Sequence, residues 1–241
     1  MTPEEWNAFM HARAGLPRQG PGTPDDVLWA LDHIGLSGEV DVFDAGCGPG
    51  GDTVALAEAL PEAWIRAVDM SEPFVMQARD RVARFGDRVH LVVGNMDDPG
   101  GPYDLIWCAG ALYFLGVTEG LTIWRAALKQ GGHVVFSEPV ALGPLSPTAR
   151  VFWEDYPALT DLDGICLRIT AAGYRVLAHR MVIGTPWAAY YKPMQARSDH
   201  LRATETDPLV LAAVTENQTE MDLWRAARDE IAYALLIVAP L

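Results

Sequence analysis

Val40-Asp41-Val42-Phe43-Asp44-Ala45-Gly46-Cys47-Gly48-Pro49-Gly50-Gly51-Asp52-Thr53 is the stretch around which the rest of the chain arranges itself. The run Val40 to Asp44 reads as a strand, and the glycines after it read as a turn. Glycine is needed where a backbone passes through positive φ or must lie against a ligand with no Cβ between them. Gly46, Gly48 and Gly50 concentrate that need at alternate positions. The run from Thr53 to Leu60 reads as a helix, whose first unpaired N–H groups and partial positive charge face the turn. An anionic cofactor is the expected occupant.

The spacing admits two patterns. Gly46, Gly48 and Gly51 satisfy the G-x-G-x-x-G of dinucleotide sites, whereas Gly46, Gly48 and Gly50 satisfy the tighter G-x-G-x-G of S-adenosylmethionine (SAM) sites. Asp44, two residues before the first glycine, either orders the turn or meets the ammonium of a methionyl group. Asp69 ends the next apolar run, Ala63 to Val68. A carboxylate at the carboxyl end of a strand suits two ribose hydroxyls under either pattern.

With 241 residues, half of them hydrophobic, the chain can bury a sizeable core as one domain over 1–241. A formal charge of −14 opposes extended contact with nucleic acid, which rests on Lys and Arg neutralising phosphates. The amino terminus lacks a basic segment followed by an apolar one, and no run approaches the ~20 apolar residues of a membrane span. A cytoplasmic protein with neither nucleic-acid nor membrane partner is expected. Cys47, Cys108 and Cys166 are odd in number and widely spaced, which fits reduced, packed thiols. No histidine falls in metal-ligand spacing, and neither HExxH nor CxxC occurs, so no metal is expected. Oligomeric state has no signal in the sequence.

Residues 1–36 read as N-terminal helices. Trp6, Phe9 and Met10 share one face of the first, either an edge helix packed on the core or a flap over the ligand. Thr23 as N-cap and Pro24 at the first helical position start a second helix through Leu36. In the loop between them, Arg18 is the cation best placed to reach a cofactor carboxylate. Strands are expected at Val40–Asp44, Trp64–Val68, Val89–Val93, Asp104–Cys108 and His133–Ser137, with helices at Thr53–Leu60, Pro73–Phe85 and Thr118–Leu128 between them. Such alternation implies right-handed βαβ units in a parallel sheet, with ligands beyond the strands' carboxyl ends. That edge carries Asp44, Asp69, Asn95, Met96, Asp97, Cys108 and Glu138.

After a helix at Asp161–Ala172, the runs Tyr174–Ile183 and Ile231–Val238 read as strands. The core sheet then spans about 40–140, 161–184 and 230–239, with cap inserts at 141–160 and 185–229. A stretch as long as the second insert is expected to be helical rather than structureless. The inserts hold Trp153, Tyr156, Trp187, Tyr190 and Tyr191. These rings either fill a core or line an acceptor pocket, with Trp6 and Phe9 closing one side. Of polar groups at the edge, Glu138 and Tyr113 are the candidates for a general base.

These residues resemble one family over nearly the whole chain: the class I SAM-dependent methyltransferases, in the type 11 or UbiE-like small-molecule branch. Asp44-Ala-Gly-Cys-Gly-Pro-Gly-Gly looks like its first motif, Ala67-Val-Asp69-Met70-Ser71 like its ribose and adenine segment, and Gly94-Asn-Met-Asp97 like its adenine-edge segment. Asp104-Leu-Ile-Trp-Cys-Ala-Gly-Ala-Leu-Tyr113 resembles the fourth strand and its turn, and Leu128-Lys-Gln-Gly-Gly-His-Val-Val-Phe-Ser-Glu138-Pro the fifth. Arg18-Gln-Gly-Pro-Gly-Thr-Pro, Phe152-Trp-Glu-Asp-Tyr-Pro and Trp187 with Tyr190 and Tyr191 resemble a bacterial subgroup with the same cap.

The resemblance implies a Rossmann-like seven-stranded α/β sheet, mostly parallel with the last strand antiparallel, helices on both faces and a small helical, aromatic cap. It implies SAM as cofactor and S-adenosylhomocysteine (SAH) as product, bound through Arg18, Asp44, Gly46, Gly48, Gly50, Asp69, Met70, Asn95, Met96, Asp97 and Cys108. The implied reaction is methyl transfer to a small, partly apolar molecule. The chain departs from the subgroup at Ala109, where an acid is usual. A SAM-binding protein without catalysis is therefore the alternative, with an NAD-linked oxidoreductase behind it.

Overall fold

The computed structural model describes residues 2–241. Seven strands form one sheet: β1 (Asp41–Ala45), β2 (Trp64–Asp69), β3 (Val89–Val93), β4 (Tyr103–Ala109), β5 (Leu128–Ala141), β6 (Tyr174–Val182) and β7 (Ile231–Pro240), in the order β3-β2-β1-β4-β5-β7-β6. All run parallel except β7, which is antiparallel to both its neighbours. The central strands are largely apolar because helices cover both faces, with Asp44 and Glu138 among the exceptions. Every residue of β7 from Ile231 to Ala239 is buried.

Strand alternation divides the core in two. Trp107, Val135, Tyr233, Leu235 and Ile237 point to one face, under α2 (Pro24–Ile34) and α3 (Gly51–Ala59). Ile106, Cys108, Phe136, Ala234 and Leu236 point to the other, under α5 (Val117–Trp124) and α7 (Leu162–Ala171). Between β2 and β3 runs α4 (Glu72–Val82).

Helix boundaries follow local chemistry. Pro24 begins α2 with the Thr23 N–H bonded to the Asp26 carboxylate at 2.8 Å, a reciprocal cap. The helix ends at Ile34, short of the expected Leu36, because Gly35 takes the left-handed conformation at φ +64 and closes it. At the glycine turn the opposite occurs: α3 begins at Gly51 rather than Thr53, so the turn leads into the helix with no spacer. β5 runs 14 residues from Leu128 to Ala141, well beyond the expected His133–Ser137, since it pairs with β4 on one side and β7 on the other.

The 185–229 insert forms α8 (Thr185–Thr204) and α9 (Pro208–Ala226), and the 141–160 insert carries α6 (Pro147–Phe152). The first helix, α1 (Pro3–Ala12), packs on this cap rather than on the sheet: Ala8 and Ala12 bury against Leu201, Val210, Ala213 and Val214. Among the described residues, no helix is long and apolar enough to cross a membrane.

Candidate functional site

The turn after β1 is pinned from below, where the Gly46 and Cys47 N–H groups both donate to the Val68 carbonyl, at 2.9 and 2.8 Å. Gly48 has φ +52, and a Cβ added there would meet nothing within 4 Å, so this residue faces open space above the sheet. Gly51 has a different reason to be glycine: a Cβ would come 2.5 Å from the Pro17 carbonyl oxygen. That close approach brings the 17–22 loop onto the start of α3. Gly46 and Gly50 lie against Ala111 and Ala78.

Arg18 arrives with this loop. Its Nη1 pairs with Asp52 in the first turn of α3, and Asp52 also accepts from the Trp107 indole N–H at 3.1 Å. The other amino nitrogen, Nη2, is buried with no partner. Asp44 is buried beside it and accepts from the Thr53 hydroxyl at 2.6 Å. Burial, with Asp52 and Asp69 nearby, pushes its carboxyl up to about 7 against the opposing pull of Thr53 and Arg18. Asp52 and Trp107 were not anticipated as site residues; an acid at the first turn of a helix looks like ordinary helix chemistry.

Asp69 ends β2 with Oδ2 accepting from the Gly48 N–H and Oδ1 from the Ser71 N–H, each at 2.8 Å. Its carboxyl is raised by burial against those two bonds. Met70 follows, 73% exposed. Asn95 and Asp97 sit exposed in the loop after β3. Met96 and Cys108 turn inward instead. Met96 is buried, its carbonyl held by the Trp124 indole at 2.7 Å, and the Cys108 side chain lies wholly in the core near Phe136. Burial raises the Cys108 thiol well above its ordinary value, so it stays protonated.

The two base candidates lie on different elements, with Cys108 within electrostatic reach of both. Glu138 pairs with Ala234 and so faces the Phe136 side, its Oε2 buried without a partner and its carboxyl pushed by burial up to about 7. Pro139, one residue on, pairs with Tyr233 on the opposite face. Tyr113 lies in the short helical turn Leu112–Phe114 after β4, its ring edge-on to Tyr156 at 5.1 Å. Ala109 ends β4, and the N–H of the next residue, Gly110, donates to the Ser137 hydroxyl at 2.8 Å.

The insert aromatics divide as well. Trp187 is 2% exposed, its indole N–H donating to the Val182 carbonyl at 3.0 Å and its ring edge-on to Tyr233 at 5.4 Å. The expectation of Trp187 as a pocket wall is corrected to a core residue, because β6 claims its one polar atom and the rings of Phe152, Trp153 and Tyr233 enclose it. Trp153 is likewise buried. Tyr191 donates to Glu220 on α9 at 3.0 Å. Trp6 and Phe9 stack on each other at 5.5 Å, with Trp6 43% exposed.

Arg13, just past α1, is a buried cation that no sequence signal marked. Its Nε donates to Asn217 at 2.9 Å, Nη1 to the Tyr190 oxygen at 2.9 Å and Nη2 to Glu220 at 2.6 Å. Tyr190 in turn lines a cavity of about 250 Å³ shared with Arg18 and Gly51. Among the described residues, no three His, Cys, Asp or Glu side chains gather as a metal-holding group.

Residues 42–132 match a protein family described as a methyltransferase domain. A trans-aconitate 2-methyltransferase of Paracidovorax citrulli is 30% identical over 137 residues, covering 56% of this chain and 50% of that protein; the chain thus spans half the length of this relative. A trans-aconitate 2-methyltransferase of Yersinia pseudotuberculosis is 27% identical over 230 residues, covering 88% of this chain and 84% of its own. Among solved structures, a SAM-dependent methyltransferase from Geobacter sulfurreducens, in complex with SAH, superposes with a TM-score of 0.85 at 20% identity, covering 98% of each chain. Strand order, glycine turn and matched segment define the Rossmann-like methyltransferase class. The chain shares the fold of SAM-dependent methyltransferases, and its residues 42–132 are similar to a methyltransferase domain.

Proposed function

We propose that the protein transfers a methyl group from SAM to a small, partly apolar molecule held between the sheet edge and the cap. The observation that carries the reading is the clustering, at one edge, of the open Gly48 turn, the Asp69 carboxylate and the buried, unpartnered Nη2 of Arg18. A buried donor without a partner is rare in folded proteins and calls for an anion. These residues fit SAM: Arg18 would take the methionyl carboxylate, Asp44 the ammonium and Asp69 the ribose hydroxyls. Met70, exposed beside Asp69, would cover the adenine, with Asn95 and Asp97 at its edge. Met96 and Cys108 would shape the site from beneath, with Gly46 and Gly50 keeping the turn close to the sheet.

When bound, SAM supplies an electrophilic methyl on sulfonium and leaves as SAH. The chain's own task is alignment and exclusion of water, which is worth effective molarities of about 10⁵ to 10⁸ M. Tyr113, Tyr156 and Tyr190 are the pocket residues of this reading, with Trp6 and Phe9 on α1 at its border. Trp153, Trp187 and Tyr191 support them from within the cap. Of the base candidates Tyr113 is the better placed, since its ring packs edge-on to Tyr156 among the insert aromatics. The relatives' named acceptor, trans-aconitate, supports a small-molecule substrate. The charge of −14 supports an enzyme that does not handle nucleic acid.

A SAM-binding protein without catalysis is the second reading, favoured by Ala109 alone. Calorimetric titration with SAH and with NAD, followed by methyl transfer from labelled SAM to a panel that includes trans-aconitate, tests the proposal. SAH binding with methyl transfer is expected. SAH binding with no transfer to any acceptor favours the second reading, and NAD binding in place of SAH refutes both.

A further inference from the structure

The chain has seven tyrosines, and their hydroxyl protons fall into two groups. Tyr103, Tyr174 and Tyr191 each donate to an oxygen of ordinary kind: the Pro99 carbonyl at 2.7 Å, the Leu121 carbonyl at 3.0 Å and the Glu220 carboxylate at 3.0 Å. Tyr113, Tyr156, Tyr190 and Tyr233 have no such acceptor. They come from four separate elements and influence one another electrostatically, with Tyr156 between Tyr113 and Tyr233. Burial and mutual proximity keep Tyr113, Tyr190 and Tyr233 protonated throughout the ordinary pH range.

The proton count decides what this group binds. A phenol carries one donor proton and accepting lone pairs. Two phenol–phenol contacts, Tyr113 with Tyr156 and Tyr156 with Tyr233, use at most two of the four protons. Tyr190 is constrained further. Guanidinium can only donate, so the bond from Arg13 Nη1 occupies the Tyr190 oxygen and turns its proton away from Arg13. Arg13 is itself fixed by Asn217 and Glu220, so its direction is not free. At least two donor protons remain without a protein acceptor, and the carboxylate that acts on Tyr190, Glu220, is already taken up by Arg13 and Tyr191.

We propose that Tyr113, Tyr156, Tyr190 and Tyr233 form a donor site for an oxyanion of the methyl acceptor, a carboxylate in the first instance, and that Arg13 is the positioning residue that aims and polarises the Tyr190 hydroxyl. The proposal rests on the reading of the cap as the acceptor site. Ring faces alone would favour a cation; uncommitted hydroxyl protons favour an anion, and hydrogen bonds to charged groups outweigh a single ring contact.

The test titrates the SAH-saturated protein with phenylacetate and phenethylamine, probes of similar shape that differ in a carboxylate or an ammonium. Phenylacetate is expected to bind at least tenfold tighter. Tyr190→Phe, which keeps the ring, should weaken phenylacetate about tenfold while SAH affinity stays within threefold. Arg13→Met should weaken phenylacetate to a similar extent, and the double variant should be no worse than either single one, since both act through the same hydroxyl. Tighter binding of phenethylamine, absence of phenylacetate binding, an unaffected Tyr190→Phe variant or fully additive losses would each overturn the proposal. Failure of SAH to bind at all instead removes the methyltransferase reading beneath it.

Discussion

Burial holds the Glu138 carboxyl at about 7, against 4.5 for the free side chain, and no partner offsets it at Oε2. Between those values the folded protein binds a proton that the unfolded chain has released. Stability contributed by this group is therefore fullest below about pH 4.5 and declines as pH rises toward 7. Glu138→Gln should flatten that decline and leave the variant more stable at pH 8, by at most about 3 kcal/mol, with no difference at pH 4. Urea titrations across that range check it, and parallel curves for the two proteins would show that Glu138 ionises without cost. Asp69 is tested by binding. Asp69→Ala should cost about 2 to 4 kcal/mol of SAH affinity, from charge-assisted bonds that are not fully additive. Unchanged affinity by calorimetry would exclude it from the ribose site.

At the scale of elements, the cap is held by buried rings rather than draped over the sheet. Trp187, near the start of α8, joins Val182 of β6, Trp153 after α6 and Tyr233 of β7 through one side chain. Trp187→Ala should thus destabilise the protein by about 3 to 5 kcal/mol, the usual loss for a buried large aromatic. Trp6 on α1 touches Phe9 and is largely open to solvent, so Trp6→Ala should stay within about 1 kcal/mol. Equal urea midpoints for the two variants would contradict this division. Arg13 fastens the end of α1 to both α8 and α9. The first helix therefore moves with the cap, and its alternatives of edge helix or flap resolve into a third placement, part of the cap's own packing.

For the molecule as a whole, binding to the folded state alone raises stability by mass action. At a SAH concentration of 100 times Kd the gain is about 2.7 kcal/mol, which for a chain of 241 residues is a rise of about 5 to 10 °C in the thermal midpoint. NAD at the same concentration should leave the midpoint in place. Calorimetric scans with each ligand compare them, and an equal rise with NAD would return the glycine turn to the dinucleotide pattern.

What the sequence determined by itself was whatever a few neighbouring residues can encode. The strand cores, the Gly46–Gly50 turn and the Pro24 helix start were legible because alternation, turn chemistry and caps act over a turn or two, whereas the antiparallel last strand was implied only by the family resemblance. Even there the ends moved: Gly35 and Gly51 shifted helix boundaries by two residues, through left-handed closure at one and a close approach to Pro17 at the other. Tertiary structure alone decided which face of β5 received Glu138, that Trp187 is enclosed, that Arg18 and Trp107 meet at Asp52, and that Arg13 reaches Tyr190, 177 residues away. Those outcomes depend on how β7 inserts between β5 and β6 and on how α1, α8 and α9 pack together. No local periodicity carries that information, since a side chain's partner there is set by the path of the whole chain rather than by its neighbours in sequence.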